Sequence, residues 1–317
     1  VTSTLQRDLA AAARALAHPD REKCTCTVRR AVLADRPDGT VVRHGPVVAK
    51  AHAPTADPLR LTARIAVAAR PALAGVTLHP LPAPVTALEG RPVSCWPYGA
   101  PVDPTAPENA PWSVAGTLLA RLHRTDVSRL PGPLPSMRGP RKAAAALNRM
   151  RLTGDGPAAK AVEQAWSALP AWARADAPMP GPPALCHGDW HLGQLVRTTD
   201  ETASWLLIDV DDLGLGVPAW DLARPAAWYA SGLLPAEDFA RFLDAYRAAD
   251  GPAVPPADDP WPALDVPARA LTVQTAATAV AKAAAGSREL DEVEEALVDS
   301  CSRMAALRAE LETGSPG

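Results

Sequence analysis

The sequence predicts an α+β protein of two lobes: a small antiparallel β lobe over residues 1–97, and a mainly helical lobe over 98–317 that carries one β-hairpin. Three observations predict it. The hydrophobic period switches from helical to alternating early in the chain. A Pro-rich stretch without period falls near residues 97–111, and helical periods dominate after it. A chain of 317 residues, 47% of them apolar, is long enough to build a core in each lobe.

Leu5, Leu9, Ala12 and Leu16 recur at helical spacing, so the chain opens with an amphipathic helix that Pro19-Asp20 ends. Three β-rich runs follow, CTCTVRRAVLAD, GTVVRHG and PVVAKAHA. The turn signals RPDG and HG separate them, which predicts an antiparallel meander. Residues 58–74 read as a helix as far as Pro71, and two short strands flank Glu89-Gly90. Beyond the linker, WSVAGTLLARLHR places Val114, Leu118, Leu119 and Leu122 on one helical face. Further helices are expected over 141–152, 157–174, 236–249, 262–285 and 288–312. One β interruption stands among them: Leu195-Val196-Arg197 and WLLID (205–209), joined by the polar turn TTDETAS.

Composition narrows the function. A net charge of −3 and a pI near 6.2 give no electrostatic footprint for nucleic acid. No apolar run approaches bilayer length, and the opening residues lack a signal-peptide core, so a soluble cytoplasmic protein without a membrane partner is expected. The five cysteines (24, 26, 95, 186, 301) are odd in number and form no CxxC pair. Cys24-Thr-Cys26 is a poor clip for zinc, and reduced structural thiols are expected. The acidic run from Glu289 to Glu295 reads as a solvated helix face.

The chemistry concentrates at HGDWHLGQ (187–194) and the hairpin behind it. In an antiparallel hairpin, positions equidistant from the turn lie side by side. A turn centred near Glu201 therefore makes Gln194 and Asp209 neighbours, with Asp189 in the loop just before. Two carboxylates and one carboxamide are all oxygen donors, which suits a hard cation such as Mg²⁺. A zinc centre on His187 and His191 would need a helix and a further nitrogen or sulfur ligand, whereas Gly188 and Gly193 argue for a loop. A paired-carboxylate glycosidase leaves Gln194 and the small β lobe without a role.

The spacing is similar to the protein-kinase pattern H-x-D-x-x-x-x-N, and Val47-Val48-Ala49-Lys50 resembles the third-strand V-A-I-K motif. More specifically, HGDWHLGQ and IDVDDLGLGVPAWDLAR (208–224) resemble the HGDxHxxN and IDxxxxGxGDPxxDLA of the aminoglycoside phosphotransferase-like small-molecule kinases. LLARLH (118–123) resembles the helix those enzymes carry ahead of the catalytic loop, and HLGQ resembles the maltokinase variant of that loop.

This resemblance implies a protein-kinase-like two-lobe fold. It also implies transfer of the γ-phosphate of ATP or GTP to a hydroxyl of a small acceptor such as an antibiotic, a sugar or an amino alcohol. Asp189 becomes the catalytic base and Lys50 the ligand of the donor phosphates, while Gln194 and Asp209 hold Mg²⁺. Trp96-Pro97-Tyr98 falls where a hinge offers its backbone to a purine. His187, His191 and Asp221 support the loop, and Asp211 and Asp212 are candidates to face the acceptor.

Only five lysines occur among 32 basic residues, which strengthens the reading of Lys50. Three features depart from the family pattern. The helix after Lys50 has no acidic residue to pair with it, leaving Asp57 or Glu89 as nearby candidates. The first hairpin offers RPDG in place of a multi-glycine loop, and Val217 replaces the frequent Asp before Pro218. The alternative these features suggest is a kinase-fold pseudoenzyme that binds nucleotide or metabolite without turnover.

Overall fold

In the computed structural model, which describes residues 3–20, 23–153 and 156–313, the period of Leu5 and Leu9 becomes helix α1 (Ser3–Ala17). Residues 23–30 form no regular element, so β1 (Ala31–Arg36) begins later than the alternation of CTCTVRR predicts. β2 (Gly39–His44) and β3 (Val47–His52) continue the antiparallel meander. Helix α2 (Pro58–Ala68) starts at Asp57, whose carboxylate accepts the N–H groups of Leu59 and Arg60, and Pro58 occupies a position where no donor is lost. β4 (Thr86–Leu88) and β5 (Arg91–Pro97) complete a five-stranded sheet in the order β1-β2-β3-β5-β4.

Five more strands are short: β6 (Gly99–Pro101), β7 (Ala184–Cys186), β8 (Leu195–Thr198), β9 (Trp205–Leu207) and β10 (Gly214–Gly216). The chain divides into two compact units. The first comprises Val1–Ala110, Ser128–Pro135 and Leu192–Asp211; the second comprises Pro111–Val127, Ser136–His191 and Asp212–Gly317.

Within the first unit, strand alternation sorts the sheet into two faces. Val42, Val47, Ala49, Ala51, Val93 and Cys95 pack against Leu5, Leu9 and Ala13 of α1. The intervening residues Val41, Val48, Lys50, His52, Ser94 and Trp96 share the opposite face, as the pairings Val41↔Lys50, Lys50↔Ser94 and Val48↔Trp96 require. A second sheet, β6-β8-β9, contains the expected hairpin. Leu195 pairs with Leu207, and the Ile208 N–H donates to the Gln194 carbonyl at 2.9 Å. Gln194 thus faces Ile208, one residue before Asp209, where turn-centre arithmetic predicts Asp209 itself.

The second unit holds α3 (Trp112–His123), α4 (Gly139–Arg151), α5 (Pro157–Ser167), α6 (Ala219–Ala230), α7 (Ala236–Ala248), α8 (Trp261–Ala285) and α9 (Glu292–Thr313). α3 packs on α7, α4 and α6 on α8, and α5 on α9, while β7 and β10 pair antiparallel. Trp112, Trp190 and Phe242 form an aromatic cluster, with Trp190 and Phe242 stacked at 5.3 Å. α5 stops at Ser167, short of the expected 174, because Pro170 disfavours helix in the residue before it. α9 begins at Glu292 with a reciprocal cap: Asp291 accepts the Glu294 N–H, and Glu294 accepts the Asp291 N–H. The acidic run at 289–295 is therefore a helix start as well as a solvated face. Among the described residues no helix is long and apolar enough to cross a membrane.

Candidate active site

In the first unit, a cavity of about 140 Å³ opens on the sheet face turned away from α1. Its walls are apolar at Val41, Val48, Leu78 and Ile208, and one end is charged, with Lys50, Asp209 and Asp211. Lys50 Nζ lies 2.7 Å from Asp209 Oδ1 and 3.2 Å from Asp211 Oδ2. With its side chain only 13% exposed, Lys50 is not an ordinary solvated strand lysine. Burial alone would lower its pKa, but Asp209 and Asp211 outweigh that and hold it above the ordinary lysine value. Burial would likewise raise Asp211; Lys50 and His52 hold it far below the usual carboxylate range.

His52, two residues past Lys50 on the same strand face, extends this network. Its Nδ1–H donates to Asp211 at 2.9 Å, and its Nε2 lies 2.7 Å from Ser94 Oγ, which accepts the Trp96 indole N–H at 2.8 Å. The carboxylates that serve Lys50 come from the segment after β9. Asp57 is committed to the α2 cap and to Arg60. Asp209 holds a left-handed backbone, φ +64°, which costs a non-glycine residue about 1–2 kcal/mol. Tyr98 lines the same cavity, but its N–H donates to Pro46 O at 2.7 Å and its ring carries the Arg43 guanidinium at 3.3 Å. Its backbone donor is thus committed inside the protein.

In the second unit the HGD loop is built around Asp221 near the start of α6. One Asp221 oxygen accepts the Gly188 N–H at 2.8 Å, and the other accepts the His187 N–H at 2.5 Å and His123 Nε2–H at 3.0 Å. The Tyr246 hydroxyl lies 2.7 Å from His123 Nδ1 and accepts the Ala253 N–H, so His123 links Asp221 to α7. Gly188 adopts φ +84°, and a Cβ there would strike the Asp212 carbonyl. A glycine is required at the tightest point of the loop.

Asp189 projects from this loop onto two cations. Lys142 Nζ of α4 lies 2.6 Å from one oxygen, and Arg224 Nη2 of α6 lies 3.1 Å from the other. Burial would raise the Asp189 pKa, but Lys142 and Arg224, with a smaller contribution from His191, hold it below the usual value. Lys142 also pairs with Asp212 at 2.7 Å, and Arg138 reaches the other Asp212 oxygen at 3.3 Å. Between Asp212 and Asp189, Lys142 is held above the ordinary lysine value despite its burial.

The structure gathers Lys50, Trp96, Tyr98, Asp209 and Asp211 around one cavity of the first unit, with Gln194 in the short 3₁₀ turn Leu192–Gln194 of that unit. It gathers His187, Asp189, Asp212 and Asp221 in the second unit, with His191 half-buried just beyond the loop. Asp211 and Asp212, expected to face an acceptor, are both paired to cations of the protein. Sequence reasoning did not find His52, His123, Lys142 or Arg224. Period two placed His52 beside Lys50, and Arg224 directly follows the DLA element, so both were within reach. Lys142 carries no local signal.

The profile of the phosphotransferase enzyme family (APH) matches residues 29–266, about three quarters of the chain. No curated protein sequence matches it. Among solved structures, a thermostable variant of aminoglycoside phosphotransferase APH(4)-Ia, in ternary complex with AMP-PNP and hygromycin B, superposes with a TM-score of 0.61 at 14% identity. That match covers 96% of this chain and 99% of the other. Choline kinase LicA from Streptococcus pneumoniae gives a TM-score of 0.60 at 12% identity, covering 96% and 100%. Choline kinase from Cryptosporidium parvum Iowa II gives 0.56 at 9% identity, covering 90% of each chain. At such identities these likenesses speak for the protein-kinase-like fold.

Proposed function

Because the chain belongs to the phosphotransferase enzyme family, we propose that it is an active small-molecule kinase, moving the γ-phosphate of ATP or GTP to an acceptor hydroxyl. The observation that carries this reading is the Lys50–Asp209 pair, 2.7 Å apart, at the charged end of an otherwise apolar cavity. Such a cavity offers apolar walls to a flat base and fixed charge to its phosphates. Lys50 binds the donor phosphates as a point charge. Asp209 and Gln194, oxygen donors at the open end of one hairpin, fit Mg²⁺, which when bound neutralises phosphate charge.

Asp189 accepts the proton of the acceptor hydroxyl as transfer proceeds. Lys142 and Arg224 keep it ionised and aimed, and Asp221 fixes the loop from which it projects. The acceptor is a hydroxylated small molecule: an aminoglycoside-like antibiotic, a sugar or an amino alcohol. The similar folds crystallised with hygromycin B or named as choline kinases support that class. A cytoplasmic setting suits the five free thiols.

One observation favours a second reading, nucleotide binding without turnover: both Asp189 oxygens are engaged by cations of the protein itself. Coupled ADP or GDP release across a panel of aminoglycosides, sugars and amino alcohols, with and without Mg²⁺, separates the two. The kinase reading expects Mg²⁺-dependent release with at least one acceptor, reduced about 10²–10⁴-fold in Asp189→Asn. Calorimetric nucleotide binding with no turnover for any acceptor would establish the second reading instead.

A further inference from the structure

Away from the cavity face, four side chains of the first unit that play no part in the chemistry above converge. His18 follows the C-terminus of α1, Cys24 and Cys26 lie in the irregular segment before β1, and His44 ends β2. One ligand atom from each lies within 4.8 Å of all the others. Cys24 Sγ is 3.3 Å from His44 Nε2, and Cys26 Sγ is 3.4 Å from His18 Nε2. From this geometry we propose that the chain holds a structural Zn²⁺ ion in a Cys₂His₂ site made of His18, Cys24, Cys26 and His44.

Two of the six ligand-to-ligand distances can be set against those a tetrahedral ion imposes. Zn–S bonds of about 2.3 Å and Zn–N bonds of about 2.0–2.1 Å at tetrahedral angles put sulfur and nitrogen about 3.6 Å apart. Both close S···N contacts fall near that edge length. The donor set is two sulfurs and two imidazoles with no carboxylate, which selects Zn²⁺ over Mg²⁺ or Ca²⁺. Four protein ligands close the shell and leave no open position, which marks a structural site and not a catalytic one.

The surroundings are also built for a ligating set. His44 is buried, and its Nδ1–H donates to the Arg29 carbonyl at 2.5 Å, which fixes the tautomer and turns the Nε2 lone pair toward the sulfurs. Gly45, at φ +55°, has no Cβ where one would strike Cys26 Sγ, and its N–H donates to Val28 O at 2.8 Å. Binding is a proton exchange: two thiols lose their protons to solvent and the two thiolates bond Zn²⁺, leaving a neutral centre with neutral imidazoles. The sequence pattern hides the site, because Cys24-Thr-Cys26 has the wrong spacing for a zinc clip and His44 arrives from the far end of a hairpin. A second group of ligand types among the described residues is His123, Cys186 and Asp221, where His123 and Asp221 are already bonded to each other and Asp221 braces the HGD loop.

The ion would pin the irregular segment and the end of α1 to the β2–β3 turn. The next residue of that turn, Pro46, accepts the Tyr98 N–H. The site stands independently of the kinase reading, and its test needs no turnover. Tag-free full-length protein from zinc-supplemented cells is analysed for metal content. Chelator-stripped protein is then titrated with Co²⁺, whose visible bands and thiolate charge-transfer band report tetrahedral S/N ligation. About one Zn²⁺ per chain is expected, with affinity about nanomolar or tighter. Stripping should lower Tm by about 5 °C or more.

Cys24→Ser with Cys26→Ser should abolish metal content and the Co²⁺ spectrum, His18→Ala should weaken binding, and exposed His79→Ala should change neither. The proposal is overturned if folded wild-type protein carries no more zinc than the double variant and shows no tetrahedral Co²⁺ spectrum. It is equally overturned if mass spectrometry of freshly purified protein finds Cys24 and Cys26 joined as a disulfide.

Discussion

Replacing Lys142 by Met removes one ammonium and keeps most of the side-chain volume. Lys142 lies 2.6 Å from Asp189 and 2.7 Å from Asp212, with 30% of its side chain exposed. At an effective dielectric of about 20, each contact is worth about 6 kcal/mol before any desolvation. Losing the ammonium's solvation offsets most of that, and partial exposure screens more, so the net cost of Lys142→Met is about 2–4 kcal/mol. In thermal denaturation of a chain this long it is a fall in Tm of about 3–6 °C. Lys142→Arg, which keeps the charge, should recover part of it.

The pH dependence of that loss is a sharper check. Asp189 is depressed in the folded state, so its contribution is present above the unfolded carboxylate value of about 3.9 and is lost as pH falls through the folded value. Lys142 is raised, so its contribution is present below about 10.4 and is lost as pH rises through the folded value. The difference in Tm between wild type and Lys142→Met should therefore be widest between about pH 5 and pH 10 and close on both sides. A difference that stays flat with pH, or a Tm within about 1 °C of wild type near neutrality, would refute the charge-holding role of Lys142.

Asp221→Ala leaves the His187 and Gly188 N–H groups and His123 without their buried acceptor. It should cost about 3–5 kcal/mol in urea denaturation, with Asp221→Asn milder; equal midpoints for all three proteins would contradict the brace. Gly188→Ala forces a side chain into φ +84° against the Asp212 carbonyl. The expected cost is about 2–3 kcal/mol by the same method, and full retention of stability and nucleotide turnover would show that the loop relaxes freely. Gln194→Ala should abolish turnover at ordinary Mg²⁺ while Gln194→Asn retains part of it, since Asn keeps the amide oxygen on a shorter stem. Full activity in both variants would remove Gln194 from metal binding.

What the sequence determined by itself was local and ordered along the chain. Periods of 3.6 and 2 placed α1, the meander of β2 and β3, and the long helices, because burying one face of an element constrains residues that are near in sequence. The order Lys50, Asp189, Gln194, Asp209 was legible for a related reason: the motif residues sit on loops and strand ends of fixed spacing. Helix α6 was not read as an element, since Pro218 and Pro225 break the pattern that would have marked it.

Tertiary structure alone decided the electrostatic partnerships. The sequence pointed to Asp57 or Glu89 for Lys50, and the fold supplied Asp209 and Asp211. No spacing links Lys142 to Asp189, or His18 to Cys26, because those pairs form where separate elements happen to pack. A charge or a thiol takes its chemistry from what lies within a few ångströms in space. Neighbours in sequence set those distances only inside a helix turn, a strand pair or a loop.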